Sequence, residues 1–395
     1  MAGAQTTSIE PNLVSLVAEL TRRGERITSY SSETFRPVIE RAGAEFRSID
    51  AFITERTVVD ENLVRFASTL MQTTQSLLPA LLAETSATHP DYVIYDSLCI
   101  WGRCVAESLR IPAVASISTL AQPHAPLQRE VLAGALSILP RSISMLLAAR
   151  RELQAFNATS NQLQQTYHCP RIGLADAYNN LAGLNIVYSI KEVQTWPHAF
   201  DERFRFVGPF LGGRGAAPAF PLEELGDQPV IYISLGTVFN AKTDFYRLCF
   251  DAFTSSAYRV VLATGDKTNR QLLGEFPTNF IVRSTVPQLE ILRRAALFIT
   301  HGGMNSVNEG LAFDVPLLLI PQGADQFLIA WRIQQVGAGV SLRNPSSGQL
   351  RDTAEKLLAT PAYREQSVKL GAALRTAGGP SVAADAIEAY SRITP

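Results

Sequence analysis

The chain has 395 residues, 46% of them hydrophobic and 18% charged, with 35 basic against 36 acidic side chains. That composition describes an ordinary globular protein of two domains, or one large α/β domain. A net charge of −1 excludes an electrostatic footprint for nucleic acid or an anionic membrane, and no apolar run reaches transmembrane length.

The elements follow in chain order. Leu13, Leu16, Val17 and Leu20 recur at helical spacing between Pro11 and Gly24. Arg26 to Ser31 reads as a short strand, Ser32 to Ala42 as a helix ended by Gly43, and Ile53 to Leu82 as a long helix. Tyr92 to Tyr95 is an apolar strand running into Asp96; Trp101 to Leu109 is a helix and Pro112 to Ile117 a strand. This alternation predicts a doubly wound parallel sheet. Gln122 to Ala182 is Leu-rich and helical in pattern, and contains His124. Asn185 to Tyr188 adds a strand, and Phe206 to Phe210 leads out of the domain. Residues 211–228, rich in Gly, Ala and Pro, are the best linker in the chain.

The second half restarts with the strand Val230 to Ser234, followed by Leu235-Gly236-Thr237. Strands at Arg259 to Ala263 and Asn279 to Arg283 and a helix at Gln288 to Arg294 come next. A further strand, Ala295 to Thr300, runs directly into His301-Gly302-Gly303-Met304-Asn305-Ser306. A helical segment from Val307 to Phe313 and a strand from Val315 to Ile320 complete a βαβ unit. The turn after its first strand sits where open α/β sheets bind ligands. Orphan amides and the dipole at a helix start suit a phosphate, and adjacent glycines let the backbone approach it. A structural reading competes: Ser306 and Glu309 stand three apart, the spacing of a capping box, and the glycines could simply make a turn. Helices at Ala330 to Val336 and beyond Gly348, a strand at Val340 to Leu342, and a last helix from Ser381 to Arg392 finish the chain.

The four cysteines, Cys99, Cys104, Cys169 and Cys249, form no CxxC pair, which points to a reducing cytoplasm and away from disulfide or zinc frameworks. The N-terminus carries no basic-then-apolar signal pattern. Neither half shows GxGxxG after a first strand, so a dinucleotide-dependent oxidoreductase is a weak reading.

His301, Gly303, Ser306 and Glu309, then Pro316, Pro321, Asp325 and Gln326, resemble the donor-binding signature of the UDP-glycosyltransferase superfamily, glycosyltransferase family 1. The match is nearest to its bacterial macrolide-type branch, and the likeness runs through most of the chain. It implies an α/β chain of the glycosyltransferase B (GT-B) fold, two Rossmann-like doubly wound domains facing across a cleft. On that basis residues 1–210 are the acceptor-binding domain, 211–228 the linker and 229–380 the nucleotide-sugar domain. Residues 381–395 are then a helix crossing back to the first domain.

The resemblance assigns roles residue by residue. Thr237, His301, Gly303, Asn305 and Ser306 match diphosphate-contacting positions, with His301 a donor rather than a base. Glu309 matches the carboxylate that binds the ribose hydroxyls, and Asp325 with Gln326 the pair that reads sugar hydroxyls. Val286 to Gln288 match the strip beside the base. Thr285 stands where the family commonly stacks an aromatic or planar cationic side chain, which leaves the choice between uridine and thymidine diphosphate open. No Asp-x-Asp motif is present, so the expectation is inverting transfer without a metal or other cofactor. The donor implied is UDP-glucose as co-substrate; the partner implied is a hydrophobic small-molecule acceptor such as a macrolide, polyketide or phenol. His124 falls in the region that helps form the acceptor pocket.

The front of the chain departs from the family. The general-base His is replaced by Ser8, in Thr7-Ser8-Ile9-Glu10-Pro11, while the Asp that orients it is present as Asp96. Met1 to Thr7 is too short and polar for the family's buried first strand. Three readings follow: a chain lacking that strand, an enzyme using another base (Asp96, Glu10 or His124), or a non-catalytic sugar-nucleotide-binding protein. For Asp96 a capping role at the strand end competes with catalysis.

Overall fold

The computed structural model describes residues 11–52, 62–123, 149–212, 220–237, 240, 242–266, 268–323 and 325–393. Ser8, Glu10 and His124 lie outside the described residues. Internal contacts divide the chain into two units. The first is Met1–Val187 with His198–Arg205 and Pro380–Pro395; the second is Tyr188–Pro197 with Phe206–Gly379.

In the first unit, helix α1 (Pro11–Arg22) buries Leu13, Leu16, Val17 and Leu20 on one face. Each such side chain stabilises the unit by about 1.5–3 kcal/mol. Gly24 follows at φ 95, open to it for want of a Cβ. Strand β1 (Thr28–Ser31) pairs in parallel with β2 (Glu45–Ser48). The helix expected over Ser32 to Ala42 is instead a 3-10 turn, Glu33–Phe35, and a short α2 (Arg36–Arg41) whose Pro37 sits in its first turn. β2 had no counterpart in the sequence reading, because only Phe46 of its four side chains is buried. Helix α3 (Leu63–Thr88) outruns its expected end at Leu82 and stops where His89 turns left-handed at φ 44.

Strand β3 (Val93–Asp96), α4 (Ile100–Leu109), β4 (Ala113–Ile117), α5 (Arg150–Tyr167), β5 (Leu184–Val187) and β6 (Phe204–Phe206) complete this part. The sheet order is β3-β4-β5-β6, with β3, β4 and β5 parallel. The helical reading of 122–182 is corrected at its end: α5 terminates at His168, φ 57, and residues 168–183 are irregular apart from a 3-10 turn at Asp176–Tyr178. Cys169-Pro170 follows at once, and the residue before a proline resists helix. Among the described residues β1 pairs only with β2, and β3 only with β4. A cavity of about 540 Å³ lies between those two edges, lined by Leu20, Thr28, Tyr30, Val93, Ile94 and Trp101.

The second unit holds β7 (Val230–Ser234), α6 (Thr243–Phe253), β8 (Arg259–Ala263), β9 (Phe280–Arg283), α7 (Gln288–Leu292) and β10 (Ala295–Thr300). It continues through α8 (Met304–Ala312), β11 (Leu317–Leu319), α9 (Gln326–Gln335), β12 (Gly339–Ser341), α10 (Ser347–Ala359) and α11 (Pro361–Thr376). The six strands run parallel in the order β12-β11-β10-β7-β8-β9. Near-continuous apolar runs such as Val230 to Ile233 are what a sheet covered on both faces requires, and all four of those side chains are buried. From β7 the chain winds outward through β8 and β9, then returns to the other side of β7 as β10. The strand order therefore reverses between β7 and β10.

The last helix, α12 (Gly379–Ile393), belongs almost wholly to the first unit. Arg23, just past the end of α1, reaches Asp385 Oδ1 at 2.6 Å and Glu388 Oε1 at 3.0 Å, while Ala383, Ala384 and Ile387 are buried. All four cysteines are buried and none forms a disulfide. Among the described residues no helix is long and apolar enough to cross a membrane.

Candidate functional site

Parallel pairing sets Thr300 at the end of β10 opposite Ser234 at the end of β7. The segments that follow, Leu235-Gly236-Thr237 and His301-Gly302-Gly303, therefore emerge side by side at the reversal point. Crevices at such points, outside the carboxyl ends of the strands, are where open α/β sheets bind ligands.

His301 occupies this point. A side-chain bond to the Ser234 backbone joins it to the end of β7, and its Nδ1 stands 3.4 Å from Thr300 Oγ1. Burial lowers the imidazole from its ordinary 6.5 to about 4, outweighing the Ser234 bond, so the ring is neutral at pH 7. Two glycines flank the ring: a Cβ on Gly236 would lie 2.6 Å from His301 Cε1, and one on Gly303 would lie 2.5 Å from Nε2. Gly236 also takes φ 74, where an L side chain is strained.

Helix α8 begins one residue after Gly303, its N-cap. Its first bond runs from the Val307 N–H to the Gly303 carbonyl, 3.0 Å. The amides of Gly303, Met304 and Ser306 precede that bond and point out of the helix with its positive dipole end. The capping-box reading of Ser306 and Glu309 is thus corrected: both lie inside the helix, and the cap is Gly303.

Glu309, one turn further on, is 2% exposed. Its Oε2 accepts from Gln288 Nε2 at 2.6 Å, and Gln288 Oε1 accepts from the Tyr232 hydroxyl at 2.9 Å. The neighbouring Asn308 fixes the helix: it accepts from Ser189 Oγ and donates to the Tyr188 carbonyl, each at 2.9 Å. Val286 is half-buried two residues before Gln288, and Thr285 is exposed.

On the next loop Asp325 caps α9. Gln326 is buried, its Oε1 accepting from the Gln322 and Gly323 amides at 2.8 and 3.3 Å. Its carbonyl would lie 3.5 Å from a Cβ on Gly302, which places this loop against the glycine turn. Thr237 is exposed beside Gly236.

One fold unit thus gathers Thr237, His301, Gly303, Asn305, Ser306 and Gln326 around the ends of β7 and β10, with Gln288 and Glu309 joined behind them. Asp96 belongs to the first unit. It is buried, and its Oδ1 accepts from the Leu98 amide at 2.8 Å, the local turn that a strand-end Asp makes. Sequence reasoning missed Ser234, Gly236, Asn308 and Tyr232. Gly236 carried a signal, a glycine just past a buried strand; the other three act through partners that only folding supplies.

The family described as "Erythromycin biosynthesis protein CIII-like, C-terminal domain" matches residues 250–389. The "Uncharacterized UDP-glucosyltransferase YojK" of Bacillus subtilis (strain 168) is 32% identical over 386 residues, covering 95% of this chain and 92% of the relative. The oleandomycin glycosyltransferase of Streptomyces antibioticus is 29% identical over 401 residues, covering 96% and 87%. Among solved structures, the calicheamicin glycosyltransferase CalG4 superposes with a TM-score of 0.79 at 29% identity, over 99% of this chain and 97% of that one.

Proposed function

The chain belongs to the UDP-glycosyltransferase superfamily, as a GT-B glycosyltransferase of the natural-product type, and from that membership we propose that it moves glucose from UDP-glucose to a hydroxyl of a hydrophobic small molecule. The observation that carries the reading is the anion-ready turn at the β7/β10 reversal: outward amides at the start of α8, two glycines without side chains, and a buried Glu309 one helical turn away.

In this reading the diphosphate lies against the α8 amides, whose fixed dipole stabilises the charge that develops as the nucleotide leaves. Metal independence and inversion are part of the proposal: the acceptor oxygen attacks the anomeric carbon, the bond to the diphosphate breaks, and the hydroxyl proton passes to a base. His301 enters as a polar ring at the diphosphate, and a nearby anion raises its proton affinity from the low value that burial sets. Glu309 accepts from the ribose hydroxyls, Val286 and Gln288 border the base, and Asp325 with Gln326 read the sugar. Ser8 replaces the family His, and Asp96 is occupied with the Leu98 amide.

The test is calorimetric titration of UDP and UDP-glucose, with glucose transfer measured on a panel of phenolic and macrolide acceptors. Glu309→Ala is expected to weaken UDP binding about tenfold or more, from loss of charge-assisted bonds; unchanged affinity would sink the site. Turnover in the wild type supports the enzyme. Binding without turnover supports the alternative, a sugar-nucleotide-binding protein whose chemistry is lost with the missing His.

A further inference from the structure

Glu309 does not reach its position alone. The helix holds its backbone, yet a Glu side chain has three rotatable bonds, and which oxygen it presents depends on what holds the other. Here Gln288 Nε2 holds Oε2 at 2.6 Å. A glutamine amide is pseudo-symmetric, so it can present either its NH2 or its carbonyl to the carboxylate. The second orientation would set oxygen against oxygen. The carboxylate therefore takes the NH2, and Gln288 Oε1 is left to Tyr232, whose hydroxyl donates to it at 2.9 Å and holds the far end of the amide.

Tyr232 is well suited to this. It lies on β7, 1% exposed, its ring stacked on Phe298 of β10 with centroids 4.8 Å apart and planes 13° from parallel. Both strands are central in the sheet, so the ring is as immobile as any in the unit. Burial holds the phenol well above its ordinary range; a hydrogen bond with the Ser234 side chain opposes this, and the nearby Glu309 charge adds to it. The hydroxyl therefore keeps its proton at all working pH values and can only be satisfied by donating it to an acceptor or accepting a second bond.

We infer that the Tyr232 hydroxyl is a positioning group for the nucleotide's ribose: by holding the Gln288 amide it holds the Glu309 carboxylate in the orientation that meets the ribose hydroxyls. The inference rests on the reading of Glu309 as the ribose-binding carboxylate. It assigns to the Tyr232–Gln288–Glu309 chain a discrimination between nucleotides with and without ribose hydroxyls. The bond from Tyr232 is neutral and indirect, so its removal acts on affinity and leaves the chemical step alone.

The experiment compares wild type with Tyr232→Phe, which keeps the stacked ring and deletes only the oxygen. Calorimetry measures UDP and its 2′,3′-dideoxy analogue, which lacks both ribose hydroxyls. The expected result is a loss of about 3- to 10-fold for UDP, the worth of one hydrogen bond, and less than a twofold change for the dideoxy analogue. Gln288→Met should lose a similar factor selectively for UDP, and adding Tyr232→Phe to it should cost nothing further, since the two act as one chain. An equal loss on both nucleotides would overturn the inference by showing a general structural role, as would unchanged UDP affinity. Glu309→Ala separates the two levels. If it weakens UDP but not the dideoxy analogue while Tyr232→Phe does neither, only the positioning role fails. If Glu309→Ala fails to distinguish the nucleotides, the ribose reading itself fails.

Discussion

Gly303→Ala is the sharpest test of the turn. Gly303 has φ −66 and ψ 141, a conformation any residue adopts, so alanine there adds no backbone strain. What it adds is a methyl 2.5 Å from His301 Nε2, 3.1 Å from Cε1 and 3.3 Å from Cδ2. Carbon contacts settle at about 3.5–4.0 Å, so the ring has to retreat by about 1 Å. Its other side faces Gly236, where a Cβ would stand 2.6 Å from Cε1, so the ring already fills the space between two bare glycines. Retreat strains the bond to Ser234 at the end of β7. Overpacking of this kind costs about 1–3 kcal/mol, and the strained hydrogen bond about 1 kcal/mol more. The expected outcome is a lower unfolding midpoint in urea, by that cost, and a weaker UDP affinity, because the added methyl and the displaced ring stand at the proposed diphosphate turn. Gly348→Ala is the matched control: its Cβ meets nothing nearer than Ser346 Oγ at 4.0 Å, within α10. If Gly303→Ala matched that control in both stability and UDP binding, the packing of His301 between the glycines would be refuted.

Two further outcomes follow from the same geometry. The imidazole of His301 is lowered to about 4 from 6.5, so the unfolded chain takes up this proton before the folded one does. The stability this contributes is complete above about pH 6.5 and is lost as pH falls toward 4, about 1.4 kcal/mol per unit and on the order of 3 kcal/mol in all. His301→Asn should flatten that limb of the urea midpoint against pH; an unchanged slope would mean the ring is protonated in the fold. Gly371→Ala should destabilise the second unit, although alanine normally improves a helix interior by about 0.5–1 kcal/mol. Its Cβ would stand 2.3 Å from the Leu311 carbonyl of α8 and 2.5 Å from Asp314 Oδ1, and backbone cannot step aside. A melting temperature equal to or above that of wild type would show that α11 and α8 lie further apart than described.

Much of the fold was legible in the residues. The buried strands of the second unit, such as Val230 to Ser234 and Ala295 to Thr300, are near-continuous apolar runs with a glycine within two residues of their carboxyl ends, and the structure returns both with the expected ends. What stayed hidden lacked a local signal. β2 is polar on three of its four residues, and α3 runs to Thr88 through a stretch with mixed patterning. The boundary of α5 at Tyr167 depends on a left-handed His168, a conformation that histidine adopts without advertising it.

The sequence by itself determined the chemistry that could occur at the turn after β10: a histidine, paired glycines, an early helical serine and a carboxylate three residues on, in one short run. Their identity and spacing are local, and local facts survive without a fold. Only the tertiary structure decided what those groups meet. It set His301 between Gly303 and Gly236, 67 positions apart by their numbers, brought it to the Ser234 backbone, and joined Glu309 to Tyr232 through Gln288. The reason is the parallel sheet. Strands that neighbour each other in space are separated in sequence by whole crossovers, so the partners of a residue at a strand end are fixed by strand order, which no short stretch of sequence contains.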